Sequence, residues 1–111
     1  METKTVSLRL KKKDGSIEKA KFTFKIPTMG DLLKIQNLAS SMSGGFAVDD
    51  FTREQNLKIA RLMILLIEKP QWFDIDKLSP EYLPLIDKLN EIILKEINFF
   101  RPIEVEVEQS I

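Results

Sequence analysis

The chain has no cysteine and no histidine. Their absence excludes disulfides, thiolate nucleophiles, Cys/His zinc sites, haem ligation by either residue, and every catalytic triad that uses imidazole as its base. Acid–base chemistry would have to rest on Asp, Glu, Lys or the single Tyr82. Glycine is scarce, and the Gly44-Gly45 pair runs into Phe46 with no lysine at the spacing of a phosphate-binding loop. Long apolar runs are missing too. The longest, Leu62 to Ile67, is six residues, against about 20 needed to cross a bilayer. Neither charge is in excess, since seventeen basic residues balance seventeen acidic ones, so the molecule is not a polycation built to coat nucleic acid. The opening Met1-Glu2-Thr3-Lys4 has no apolar core of a signal peptide. The expected compartment is the cytoplasm, with which the lack of cysteine agrees.

What is present is enough for one domain. A chain of 111 residues that is 43% hydrophobic and 31% charged buries enough surface to form a core without metal or disulfides. Val6, Leu8 and Leu10 alternate with Ser7, Arg9 and Lys11, and Ala20, Phe22, Phe24 and Ile26 alternate with Lys19, Lys21, Thr23 and Lys25. That period of two, interrupted by Asp14-Gly15, predicts a β-hairpin over about 5–26. Ile17 is out of step, which suggests a bulge near the turn. Pro27 ends the second strand. Thr28 and Asp31 resemble a capping box that opens a helix over 29–42, with Leu32, Ile35, Leu38 or Ala39, and Met42 as its apolar stripe. The glycine-containing stretch after it reads as a loop.

Thr52-Arg53-Glu54-Gln55 is a second capping signal and predicts a helix over 53–69. Leu57, Ala60, Met63, Ile64 and Ile67 share one face, while Ile59, Leu62, Leu65 and Leu66 carry apolar surface around most of the circumference. Such a helix is central in its fold or meets another chain. Pro70 stops it. Trp72 and Phe73 sit in a connector, either as a lid on the core or as anchors for a partner. Ser79-Pro80 caps a short turn that leads into a helix ending near 100, so that the third helical region is 80–100. Its stripe is Leu85, Ile86, Leu89, Ile92, Ile93, Ile97 and Phe100, and Pro102 closes it. The fold class is α+β: an N-terminal hairpin packed on a three-helix bundle in one domain over 1–102. An acidic tail over 103–111 follows, where Ile103, Val105 and Val107 alternate with Glu104, Glu106 and Glu108. That tail is either a short C-terminal strand or an extension that orders on a partner.

Charge is distributed unevenly. Residues 1–26 carry eight basic and three acidic groups, whereas residues 101–111 carry one and three. Arg9, Lys11, Lys21 and Lys25 are placed on the hairpin face opposite its apolar residues, with Lys12 and Lys13 near the turn. This basic face carries the alternative reading of a small nucleic-acid-binding regulator; the other is that the lysines guard the sheet against aggregation. Single-strand binders also want aromatics on the exposed face, and here the phenylalanines fall on the apolar one, so nucleic acid is the less favoured partner. Asp49-Asp50 and Asp74-x-Asp76 lack the ligand number and the glycine of a calcium loop. Neither a metal, a cofactor nor catalysis is expected.

The order of elements resembles a family, the tail assembly chaperones of long-tailed phages and prophages. The phrase Phe24-Lys25-Ile26-Pro27-Thr28-Met29-Gly30-Asp31-Leu32-Leu33 and the stretch Phe73-Asp74-Ile75-Asp76-Lys77-Leu78-Ser79-Pro80-Glu81-Tyr82-Leu83, running to Asn98-Phe99-Phe100, carry the likeness over about residues 3–100. The Ile103–Ser110 tail departs from the family's common pattern. The resemblance implies a protein of virion morphogenesis that binds the tape-measure protein, helps recruit tail-tube subunits, forms oligomers and catalyses nothing. Candidate contacts to partners are Phe46, Ile59, Leu62, Leu66, Trp72 and Phe73. If Leu62 faces a partner, Leu62→Glu is expected to abolish assembly and leave a helical monomer.

Overall fold

A computed structural model describes residues 2–99 and 103–108. The chain is α+β, with a three-stranded antiparallel sheet and three α-helices. Strands β1 (Thr3–Lys11) and β2 (Ile17–Lys25) form the hairpin, and every pairing from Thr3↔Lys25 to Lys11↔Ile17 is in step. The expected bulge at Ile17 is therefore not formed. A five-residue loop absorbs the mismatch instead: Gly15 takes φ +87°, and the Asp14 carboxylate accepts from both the Ser16 N–H and its hydroxyl, at 2.8 and 2.6 Å.

In-step pairing sorts the side chains. Val6, Leu8, Leu10, Ala20, Phe22 and Phe24 fall on the inner face, with Ala20, Phe22 and Phe24 buried and the β1 residues only half-buried. On the outer face the hydroxyls of Thr5 and Thr23 lie 2.9 Å apart, and Thr23 donates to Glu68 at 3.4 Å. That line of polar side chains crosses all three strands.

Helix α1 (Met29–Met42) has the boundaries its sequence predicts, and the capping box is complete. The Asp31 N–H donates to Thr28 Oγ1 (3.2 Å), and the Thr28 N–H returns a bond to Asp31 Oδ2 (3.0 Å). The other carboxylate oxygen accepts from Lys25 Nζ at 2.7 Å, so one buried aspartate ties the end of β2 to the start of α1. These bonds hold the Asp31 pKa down at about 2, the Lys25 ammonium being the largest cause and the Thr28 N–H the next.

Helix α2 (Asp50–Leu65) differs from its expected span at both ends. It starts three residues early because Asp49, not Thr52, is the cap: its carboxylate accepts from the Thr52 N–H at 2.7 Å. It stops at Leu65 because Leu66 turns to extended backbone and begins strand β3 (Leu66–Glu68). That strand pairs Leu66 with Phe24 and Glu68 with Thr23, with a register shift between them. Backbone groups of β2 beside the buried phenylalanines would otherwise lack ladder partners, which is costly in a core. The third strand is thus built from the end of the apolar helix. Residues 103–108, the other candidate, are exposed and join no sheet.

After the connector, a single 3₁₀ turn (Pro80–Tyr82) leads into α3 (Leu83–Phe99). Leu85, Ile86, Leu89 and Ile93 of the expected stripe are buried and Ile92 and Ile97 half-buried; Phe100 and Pro102 lie outside the described residues. Helix α2 packs on both α1 and α3. Between α2 and α3 a polar clamp forms: Arg61 donates to the Asn90 side-chain oxygen at 2.6 Å, and the Asn90 amide donates to the Ile86 and Lys58 carbonyls. Among the described residues no buried side-chain nitrogen or oxygen is left without a partner.

Phe22, Phe24, Leu62, Leu65, Phe73, Leu89 and Ile93 form the fully buried centre, each contributing about 1.5–3 kcal/mol by burial. Leu62 is therefore a core residue and not a surface for a partner, while Met63 and Ile67, expected on the buried face of α2, are exposed. Leu62→Ala should lower stability by about 2–5 kcal/mol, read as a fall in the urea midpoint. Leu62→Glu should unfold the chain, since it places a charge where no partner exists. A helical, soluble Leu62→Glu monomer would contradict this core. Because the pKa of Asp31 is lowered by folding, its contribution is complete above the ordinary carboxylate range and is lost as pH falls from about 4 to about 2. Asp31→Asn should lower the urea midpoint at neutral pH and flatten its decline across that interval.

Candidate interaction surfaces

Among the described residues, two surfaces stand out beside the core. The first follows α1. Asp31, Ile35 and Ala39 turn inward, with Leu38 half-buried beside them. A helix of 3.6 residues per turn then places Met29, Leu33, Gln36 and Ser40 on the opposite side, while Leu32, expected in the inward stripe, lies on its flank. All five are exposed, Met29 at 75% and Leu33 at 63% of full accessibility. At the far end of this side lies a cleft of about 250 Å³ between α1, the α1–α2 loop and the start of α2, lined by Gln36, Ser40, Phe46, Val48, Asn56 and Leu57 among others. Phe46 stands in its rim, 79% exposed. Gly44, at φ +65°, lets the chain reverse so that a Cβ there would sit 3.6 Å from the Phe46 ring.

The second surface is the hairpin. Its outer face carries Arg9, Lys11, Lys19, Lys21 and Lys25. Lys25 belongs to the Asp31 bond and is half-buried. Among the described residues the other four are exposed and take part in no ion pair. Arg9 stands directly opposite Lys19, a like-charge arrangement that costs stability unless an anion relieves it. Strand β1 is at the edge of the sheet. Beside it runs an open groove of about 670 Å³, with Leu8, Leu10 and Lys11–Asp14 on one wall and Glu81, Tyr82, Pro84, Leu85 and Lys88 on the other. Lys12, near the turn, pairs with Glu18 at 2.7 Å, which raises its pKa.

The candidate partner residues are thus dispersed. Phe46 is on the α1 surface. Ile59 and Leu66 are half-buried, Leu66 as part of β3. Leu62 and Phe73 are core. Phe73 meets Phe22 edge-on, with centroids 5.2 Å apart, and Trp72 lies half-buried between Phe73 (6.1 Å) and Tyr82 (5.5 Å). The aromatic pair of the connector is a lid on the sheet. Met29 and Leu33, the most exposed apolar side chains of α1, were not singled out by the sequence reading. Their signal was a second apolar row, four residues apart and offset from Ile35. Lys19 belongs with the basic face on the same alternation that selects Lys21.

Among the described residues no cluster of three or more acidic side chains is placed to hold a metal, and no helix is long and apolar enough to cross a membrane. No family model, curated protein or solved structure matches the chain. The outer face of the hairpin holds cations but no aromatic ring, Phe22 and Phe24 being buried on the other side. It can attract phosphate and cannot stack bases. A labelled single-stranded oligonucleotide should therefore bind only at low ionic strength and be released by about 0.15 M salt. Binding that persists there, followed by fluorescence anisotropy, would favour the nucleic-acid reading.

Proposed function

We propose that this protein is a tail assembly chaperone of a long-tailed phage or prophage, which binds the helical tape-measure protein stoichiometrically, helps recruit tail-tube subunits and performs no catalysis. The observation that carries the proposal is the uncovered apolar side of α1. Met29, Leu32 and Leu33, continued by Phe46 across the cleft, present large apolar side chains at helical spacing on a scaffold whose core is complete without them. A tape-measure chain is a long series of amphipathic helices, and such a helix is bound by laying its apolar face into a groove of this kind. The resemblance of Phe24–Leu33 and Phe73–Leu83 to the chaperone family supports the same reading.

The gene neighbourhood tests it first: the source DNA downstream should encode a very long helical protein. Co-expressed with this chain, that protein should remain in the soluble fraction and co-purify. The double variant Leu33→Ser/Phe46→Ser should retain its free energy of unfolding in urea to within about 1 kcal/mol, because both side chains are exposed, and should lose most of the solubilising effect. Unrelated neighbouring genes, or a double variant as effective as the parent, would refute the proposal.

A further inference from the structure

The tail and the hairpin complement each other in two respects at once. Residues 103–108 read Ile-Glu-Val-Glu-Val-Glu, and Ile103, Val105 and Val107 are 88%, 85% and 79% exposed. Three alternating apolar residues held in water are the pattern of a strand without a sheet. Strand β1 is the converse, a nine-residue strand with one edge unpaired. On its inner row Val6, Leu8 and Leu10 are only half-buried, and the one inward charge, Lys4, is paired with Glu96. Its outer row ends in Arg9 and Lys11, with the Arg9–Lys19 repulsion unrelieved among the described residues.

We propose that residues 103–108 of one copy add as a fourth strand to the β1 edge of a second copy. Antiparallel pairing of Glu104 with Lys11, Glu106 with Arg9 and Glu108 with Ser7 puts Val105 and Val107 on the inner face beside Leu10 and Leu8. One register thus satisfies both the apolar row and the charges. The lengths agree: six extended residues span about 20 Å and β1 about 30 Å. The acceptor is a second copy because of where α3 ends. Lys4, at the start of β1, bonds Glu96 at 3.2 Å, while the beginning of α3 flanks the far end of β1 across the groove. Helix α3 therefore runs antiparallel to β1, and a chain's own tail laid back along that strand would run parallel to it. The tail of a neighbour is free to take the antiparallel ladder, the slightly more stable of the two. Exchange in both directions gives a closed, two-fold dimer. This inference does not rest on the chaperone reading.

The lack of cysteine makes the test direct. Arg9→Cys protein is mixed with Glu104→Cys or Glu106→Cys protein under mild oxidation, with Lys95→Cys as the control partner, and no client is present. A disulfide-linked heterodimer with a tail variant, and none with the control, is the expected result. Light scattering should show the parent protein as a dimer, and Val105→Ser/Val107→Ser should raise its dissociation constant by about tenfold or more. Two results would overturn the proposal: no cross-link with either tail variant, or a dimer indifferent to the valine substitutions. Since the readout is self-association of the isolated protein, its failure is distinct from a failure to bind a tape-measure protein.

Discussion

Burial of Phe22 and Phe24 on the inner face of β2 is the constraint from which the rest of the structure follows. Two phenylalanines on adjacent inward positions of one strand require cover from above and hydrogen-bond partners on both flanks. β1 supplies one flank through the hairpin. The other is supplied by β3, a strand of three residues taken from the end of the apolar helix. Cover comes from Phe73 and from the inner rows of α2 and α3, which are apolar enough to close the core without α1's outer side.

Polar contacts then set how the elements are joined. Asp31 bonds at once to Lys25, to the Thr28 backbone and through its own N–H to the Thr28 hydroxyl, so the angle between strand and helix is fixed by a buried charge that has its partner. Asn90 does the same between α2 and α3, bonding Arg61 and two carbonyls. Both devices are satisfied, which is the condition under which buried polar groups add order rather than cost. With the interior closed in this way, the apolar groups still exposed on α1 and on residues 103–108 are available for contacts outside the chain.

The two surfaces are carried by different elements. One is a helix side of apolar residues suited to another helix. The other is a sheet edge with an apolar row and a cationic row suited to another strand. A protein that both self-associates and holds a client needs two such surfaces that do not compete. On the readings proposed above, helix packing would hold the client and backbone pairing would join the copies.

Much of this was legible from periodicity alone. The hairpin, the approximate limits of α1, the Ser79-Pro80 turn and the stripe of α3 as far as Ile97 follow from alternation, caps and prolines, because those signals act within a few residues of where they are read. Other features were not legible: the in-step turn before Ile17, the cap at Asp49, the conversion of Leu66–Glu68 from helix to strand, the burial of Leu62 and the exposure of Met63 and Ile67. A run such as Leu62–Ile67 is apolar in every direction, so its sequence is equally compatible with helix, strand, core or interface. The vacant flank of β2 decided among these, and no local signal could report it. The sequence by itself therefore determined which segments form elements and which of their faces are apolar. Only the tertiary structure decided which apolar faces meet each other and which are left over, since burial is shared among segments far apart in the chain.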